Sequence, residues 1–217
     1  MNILSPSILS ADFYDLKKDL TALEDGKVPN GHIDVMNGIF VPSISYVMPV
    51  IKSIRKHTDL FFDVHLMIVD PSRYIKEFAE SGADLITFHT EAEKDIQGCI
   101  DLIRSYGKKV GLTIKPGTPV SDLVPYLDKI DMALIMTVEP GFGGQKLIPE
   151  CVDKIRELKK IVDEKGLKID IEVDGGVNID NVDTVLDAGS NVIVAGSAVF
   201  GDDTPGKVKA FMEHLNA

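Results

Sequence analysis

The chain has 217 residues, 44% of them hydrophobic, and 34 Asp and Glu outnumber 23 Lys and Arg to give a formal net charge of −11. That length carries one full hydrophobic core, the apolar runs are short and punctuated rather than membrane-length, and the absence of a long Lys/Arg run argues against a nucleic-acid partner. A soluble chain with neither a nucleic-acid nor a membrane partner is expected. The start, Met1-Asn2-Ile3-Leu4-Ser5-Pro6-Ser7, lacks a basic stretch followed by a long apolar run and a small-residue cleavage site, so a cytoplasmic location is expected. Cys99 and Cys151 have no metal-type spacing and fall in helical stretches, which predicts two reduced thiols rather than a disulfide framework.

Apolar, β-branched runs near residues 3–8, 31–36, 61–67, 84–89, 109–114, 132–138, 168–173 and 191–195 predict eight strands. Stretches with helical periodicity follow them: Asp12–Leu23, Val47–Lys56, Ser72–Glu80, Ile96–Tyr106, Ser121–Leu127, Ile148–Glu164, Asp180–Ala188 and Gly206–Leu215. Gly107, Pro116, Gly117, Gly166 and Gly189 punctuate the boundaries. Strands joined by helical crossovers are parallel and right-handed, so eight such units favour a closed (β/α)8 TIM barrel over an open doubly wound sheet. No linker or composition shift divides the chain, so a single α/β domain spanning residues 1–217 is expected.

Chemistry-bearing residues sit on two neighbouring strands. In His32-Ile33-Asp34-Val35-Met36 the two-residue strand period puts His32, Asp34 and Met36 on one face. Asp63-Val64-His65-Leu66-Met67 repeats the arrangement one strand later. A barrel interior is mainly filled by bulky apolar side chains, so His32, Asp34, His65 and, after the seventh strand, Asp174 together call for a metal or catalytic work. Two imidazoles and two carboxylates suit one divalent ion, zinc, iron, manganese or cobalt, without fixing which. Met36, Met67 and Met136 can form a polarizable wall beside such a centre, or serve as ordinary core filling. Three late turns, Gly141-Phe142-Gly143-Gly144, Asp174-Gly175-Gly176 and Gly196-Ser197, occupy the positions where TIM barrels bind phosphate through backbone N–H groups, which needs no net positive charge.

With Ser5-Pro6-Ser7-Ile8-Leu9-Ser10-Ala11-Asp12-Phe13, the two strand motifs above, Met136-Thr137-Val138-Glu139-Pro140-Gly141-Phe142-Gly143-Gly144-Gln145 and Glu172-Val173-Asp174-Gly175-Gly176-Val177, the chain resembles the ribulose-phosphate 3-epimerase family over nearly its whole length. The resemblance implies an isomerase that interconverts D-ribulose 5-phosphate and D-xylulose 5-phosphate in the pentose phosphate pathway. It implies that His32, Asp34, His65 and Asp174 hold the metal. Asp34 and Asp174 would be catalytic, exchanging protons at C3 through a metal-stabilised enediolate. Substrate contacts would come from Ser7, His65 and Asp174, with phosphate contacts from Gly141, Phe142, Gly143, Gly144, Gly175, Gly176, Gly196 and Ser197. A homo-oligomer acting on a phosphorylated ketose is implied as well. His89 is a candidate pocket residue outside the catalytic set.

Two positions depart from the family pattern. Asn37 stands where the family commonly has an acidic residue, and Ser43 where it usually has Asn, which puts local loop contacts and substrate preference in question. The alternatives are a 3-epimerase of a phosphorylated hexulose such as D-allulose 6-phosphate, and a non-catalytic sugar-phosphate sensor. A related decarboxylase or aldol-type lyase is disfavoured, because Asp63-Val64-His65 supplies no Asp-x-Lys-x-x-Asp arrangement.

Overall fold

The computed structural model describes residues 2–46 and 48–216. Met1, Ala217 and Val47, the first residue of an expected helix, lie outside the described residues. Eight strands follow in chain order: β1 (Ile3–Pro6), β2 (Asn30–Met36), β3 (Phe61–Met67), β4 (Leu85–His89), β5 (Lys109–Ile114), β6 (Met132–Met136), β7 (Asp170–Asp174) and β8 (Val192–Ala195). All pair in parallel in the order β1-β8-β7-β6-β5-β4-β3-β2. The remaining seam, between β1 and β2, carries one parallel bridge between Ser7 and His32. The chain is a nearly closed (β/α)8 barrel.

The connecting α-helices are α1 (Leu16–Asp25), α2 (Met48–Ile54), α3 (Ile75–Ser81), α4 (Ile96–Ser105), α5 (Glu150–Glu164), α6 (Val182–Ala188) and α7 (Thr204–Leu215). In α5 the spacing of Cys151, Ile155, Leu158 and Val162 places one apolar stripe against the barrel, and Glu150 and Asp153 sit favourably in its first turn. The starts of α4 and α7 are held by Asp95 and Asp203, which accept from the backbone N–H groups of Gly98 and Gly206. Cys99 and Cys151 are buried free thiols, as expected.

One expected helix is absent. Residues 121–127 form no α-helix; two short 3-10 turns, Val120–Asp122 and Val124–Tyr126, connect β5 to β6. Pro125 falls in the middle of this stretch, where it removes an N–H and its ring crowds the preceding turn. The expected Ser72–Glu80 helix likewise begins as a 3-10 turn, Pro71–Tyr74, before α3.

Strand alternation sorts the core into two. Outward residues such as Ile33, Val35, Val64, Leu66, Ile86, Phe88, Ala133 and Ile135 join the helices in one large apolar layer. Inside the barrel, Ile3, Phe61, Leu85, Met132 and Val192 close the amino-terminal end of the strands. Above this plug the interior turns polar. Ser5, His32, Asp34, Asp63, His65, Thr87, Thr113 and Glu172 are all buried there, so the fold concentrates its titratable groups toward the carboxyl ends of the strands, where (β/α)8 barrels place their sites.

Candidate active site

Neighbouring strands in register bring the cluster together: Asp34 on β2 lies beside His65 on β3, and His32 beside Asp63. Asp34 Oδ1 is 3.3 Å from both His32 Nε2 and His65 Nδ1. From the other side of the barrel, Asp174 Oδ2 reaches within 3.9 Å of His32 Nε2 and 3.8 Å of His65 Nδ1. Each of the four residues contributes one ligand atom, and these atoms all lie within 4.8 Å of one another. His32 Nε2 and His65 Nδ1 are buried and have no hydrogen-bond partner. Two orphaned imidazole nitrogens facing two carboxylate oxygens, at the end of an otherwise packed barrel, fit a divalent cation.

Surrounding groups hold these ligands in place. Asp63 Oδ2 accepts from His32 Nδ1 at 2.8 Å, and Asp63 Oδ1 accepts from Thr87 at 3.1 Å. Ser7 Oγ donates to Asp34 Oδ2 at 2.5 Å. His65 Nε2 lies 2.9 Å from His89 Nε2. Glu172 is fully buried, with Oε1 3.6 Å from His32 Nδ1.

Burial and charge set the proton affinities. Desolvation alone would raise Asp34, but the two imidazoles beside it outweigh that and hold it well below the usual carboxylate range. Burial, reinforced by the charge of Asp34, lifts Asp174 to about 6. Burial would lower His32, yet Asp34 and then Asp63 raise it well above the ordinary imidazole value. Burial first and the Asp63 charge second push Glu172 well above the normal carboxyl range. Burial takes His89 down to about 4.

A cavity of about 620 Å³ opens above the cluster. Asp34 and Asp174 form part of its floor, Met36, Met67 and Met136 part of its wall, and the three glycine turns part of its rim. The structure therefore gathers Ser7, Asp34, Gly141, Phe142, Gly143, Gly144, Asp174, Gly175, Gly176, Gly196 and Ser197 around one space. His32 and His65 lie beneath it, fully buried and outside its lining. Gly176 has φ +72°, and a Cβ there would stand 2.2 Å from the backbone nitrogen of Leu147; only glycine lets the turns after β6 and β7 pack this closely.

Asn37 and Ser43 are not among the lining residues described. Asn37 Oδ1 accepts from the N–H groups of Ile39 and Phe40, closing its own turn. A carboxylate could accept the same two bonds, so this departure falls on loop geometry rather than on the cavity.

Sequence reasoning did not select Asp63 or Glu172 for the site, although each lies two residues from a chosen one on the same strand and hence on the same face. That period was the available signal. Lys146, Asn178 and Asn181 also line the cavity; as ordinary loop residues they carried no sequence signal.

Fold and cluster place the chain among (β/α)8-barrel enzymes with a centre able to hold a metal. A family model for the ribulose-phosphate 3 epimerase family matches residues 3–200. The ribulose-phosphate 3-epimerase of Bacillus subtilis (strain 168) is 48% identical over 199 residues, covering 91% of this chain and 92% of that relative. The cytoplasmic isoform from Oryza sativa subsp. japonica is 42% identical, covering 94% and 90%. The chain belongs to the ribulose-phosphate 3-epimerase family and is an isomerase. Among solved structures, a tryptophan synthase alpha-subunit mutant from Pyrococcus furiosus superposes with a TM-score of 0.71 at 17% identity, covering 99% of this chain and 96% of that one. KGPDC from Streptococcus mutans gives 0.70 at 16%, covering 98% and 96%; both likenesses concern the fold alone. Among the described residues, no helix is long and apolar enough to cross a membrane.

Proposed function

We propose that this chain, as one domain over residues 1–217, interconverts D-ribulose 5-phosphate and D-xylulose 5-phosphate by two-carboxylate proton transfer at C3, as a cytoplasmic step of the pentose phosphate pathway. One observation carries the reading: Asp34 and Asp174 meet at the same pair of imidazoles while sharing the floor of a cavity rimmed by glycine turns. An epimerase at a carbon beside a ketone must remove a weakly acidic proton and return one from the opposite face. Two carboxylates reaching the centre from β2 and β7 supply both roles.

The protein's own charges already separate the pair. Without an ion, Asp34 is held well below the usual carboxylate range and Asp174 is lifted to about 6, so the two carboxylates differ in proton affinity as an acid–base pair requires. The roles exchange when the reaction runs backward. Ser7 fixes one oxygen of Asp34 and so its orientation. A divalent ion, zinc, iron, manganese or cobalt, held by His32, Asp34, His65 and Asp174 would supply Lewis-acid stabilisation of the negative charge that develops on the sugar oxygens. The turns at Gly141–Gly144, Gly175, Gly176, Gly196 and Ser197 bind the phosphate, and Met36, Met67 and Met136 keep water from the reacting carbon.

The test is an epimerisation assay on ribulose 5-phosphate and allulose 6-phosphate, run side by side after chelation and after reconstitution with each ion. Faster turnover of the pentulose, lost on chelation and restored by metal, is expected. Preference for the hexulose would transfer the assignment to the alternative substrate. Sugar-phosphate binding without solvent deuterium entering C3 in the metallated protein would make the chain a sensor.

A further inference from the structure

His89 is the buried histidine that the reaction above leaves without a task. It sits at the end of β4, two residues beyond Thr87, which pairs with His65 in the sheet register. Its ring stacks on that of His65, with centroids 5.0 Å apart, and its Nε2 lies 2.9 Å from His65 Nε2. On its far side Nδ1 lies 3.3 Å from Glu91 Oε2, an ion-pair distance without hydrogen-bond alignment, and no hydrogen-bond partner meets it. Glu91 is itself fixed: Oε1 accepts from the backbone N–H of Lys115 at 2.8 Å and from the Thr118 hydroxyl. Phe40 packs against His89 with centroids 4.8 Å apart, and Lys115 Nζ caps Phe40 at 3.7 Å.

We propose that His89 and Glu91 form a positioning relay that fixes the tautomer and ring orientation of His65, so that His65 presents a bare Nδ1 to the metal centre. Donor and acceptor counting carries the argument. A contact between two ring nitrogens at 2.9 Å holds one proton. The Glu91 carboxylate only accepts, so its contact with His89 is attractive with the ring's proton on Nδ1, and that tautomer leaves His89 Nε2 as an acceptor. The proton between the two rings then belongs to His65 Nε2, and His65 Nδ1 is the nitrogen without a proton. That is the atom found 3.3 Å from Asp34 Oδ1 and without a hydrogen-bond partner. His32 obtains the same outcome more directly, by giving its Nδ1 proton to Asp63. Relays of this kind raise ligand basicity and restrict ring rotation.

The inference rests on the metal reading of the cluster, and its test separates the two. Nitrogen NMR of the metal-free protein at alkaline pH reads the His65 tautomer without any ion. Wild type should show Nε2 protonated and Nδ1 bare, and His89→Phe should show a mixture. A proton on His65 Nδ1 in wild type would overturn the relay. In parallel, Co²⁺ is titrated against a chelator, with its visible d–d bands as the readout. His89→Phe should bind Co²⁺ about 10- to 100-fold more weakly, the usual cost of losing such a partner. His89→Gln, whose carbonyl can still accept from His65 Nε2, should recover much of that loss. Glu91→Gln, at a partly exposed position where the amide oxygen can still accept from Lys115 and Thr118, should weaken binding in the same direction and covers the case in which His89→Phe does not fold. Unchanged Co²⁺ affinity in both His89→Phe and Glu91→Gln would overturn the proposal. No Co²⁺ binding by wild type would sink the metal reading instead, with the tautomer measurement still deciding the relay.

Discussion

Ser7 and Asp34 are joined across the seam between β1 and β2: one residue beyond the end of β1, the Ser7 hydroxyl donates to Asp34 Oδ2 at 2.5 Å, beside the isolated Ser7–His32 bridge that links the two edges among the described residues. The contact both bridges that seam and aims the carboxylate proposed to exchange protons with substrate. A hydrogen bond to a charged group contributes about 1.5–3 kcal/mol, so Ser7→Ala should lower kcat by roughly 10- to 100-fold while circular dichroism stays native. A kcat within twofold of wild type would reduce the bond to barrel closure.

Asp174→Asn removes the ionisable oxygen but keeps the shape of the β7 terminus. General acid or base catalysis contributes about 10²- to 10⁴-fold, so turnover should fall by that much in protein shown by metal analysis to be loaded, with the fold intact. Near-normal epimerisation by a loaded variant would remove Asp174 from the proton chemistry.

How much of this was legible in the sequence varies by element. The eight strands were, because each alternates an outward apolar set with an inward polar or apolar set, as in Asp63-Val64-His65-Leu66-Met67. The stretch 121–127 was misread because its apolar spacing looks helical while Pro125 breaks the backbone that would carry it. His32, Asp34, His65 and Asp174 were legible as inward polar residues. The same period marks Glu172 as inward, but its meaning was not legible, since that depends on His32 and Asp63, which come from β2 and β3 across the barrel. Sequence period gives a face and leaves out which residues meet there.

The glycine rim gives unequal expectations for two substitutions. At Gly176 a new Cβ would collide with backbone at Leu147 and occupy φ +72°, so Gly176→Ala should displace the turn after β6 and raise KM for the sugar phosphate strongly. At Gly144 a Cβ meets nothing within 4 Å and only the φ of +73° resists it, a cost of about 1–2 kcal/mol. Gly144→Ala should therefore raise KM less. Steady-state kinetics and phosphate binding on both variants check the order, and equal KM values would show that the close approach at Gly176 does not shape the proposed phosphate site.

Glu172 sets a pH dependence of stability. Its folded-state pKa is raised, by burial first and by the Asp63 charge second, so its contribution is fully present below the unfolded carboxyl value and is lost as pH rises toward the folded one. Above a pH of about 4.3 the unfolded chain releases a proton that the folded protein keeps. Each further pH unit then costs roughly 1.4 kcal/mol until the folded group also ionises. Glu172→Gln cannot ionise and escapes this loss. In metal-free protein, urea unfolding between acid and mildly alkaline pH should show the variant gaining steadily on wild type as pH rises. A pH-independent difference between the two would mean that Glu172 ionises normally in the folded barrel, and that its burial between His32 and Asp63 does not govern its proton.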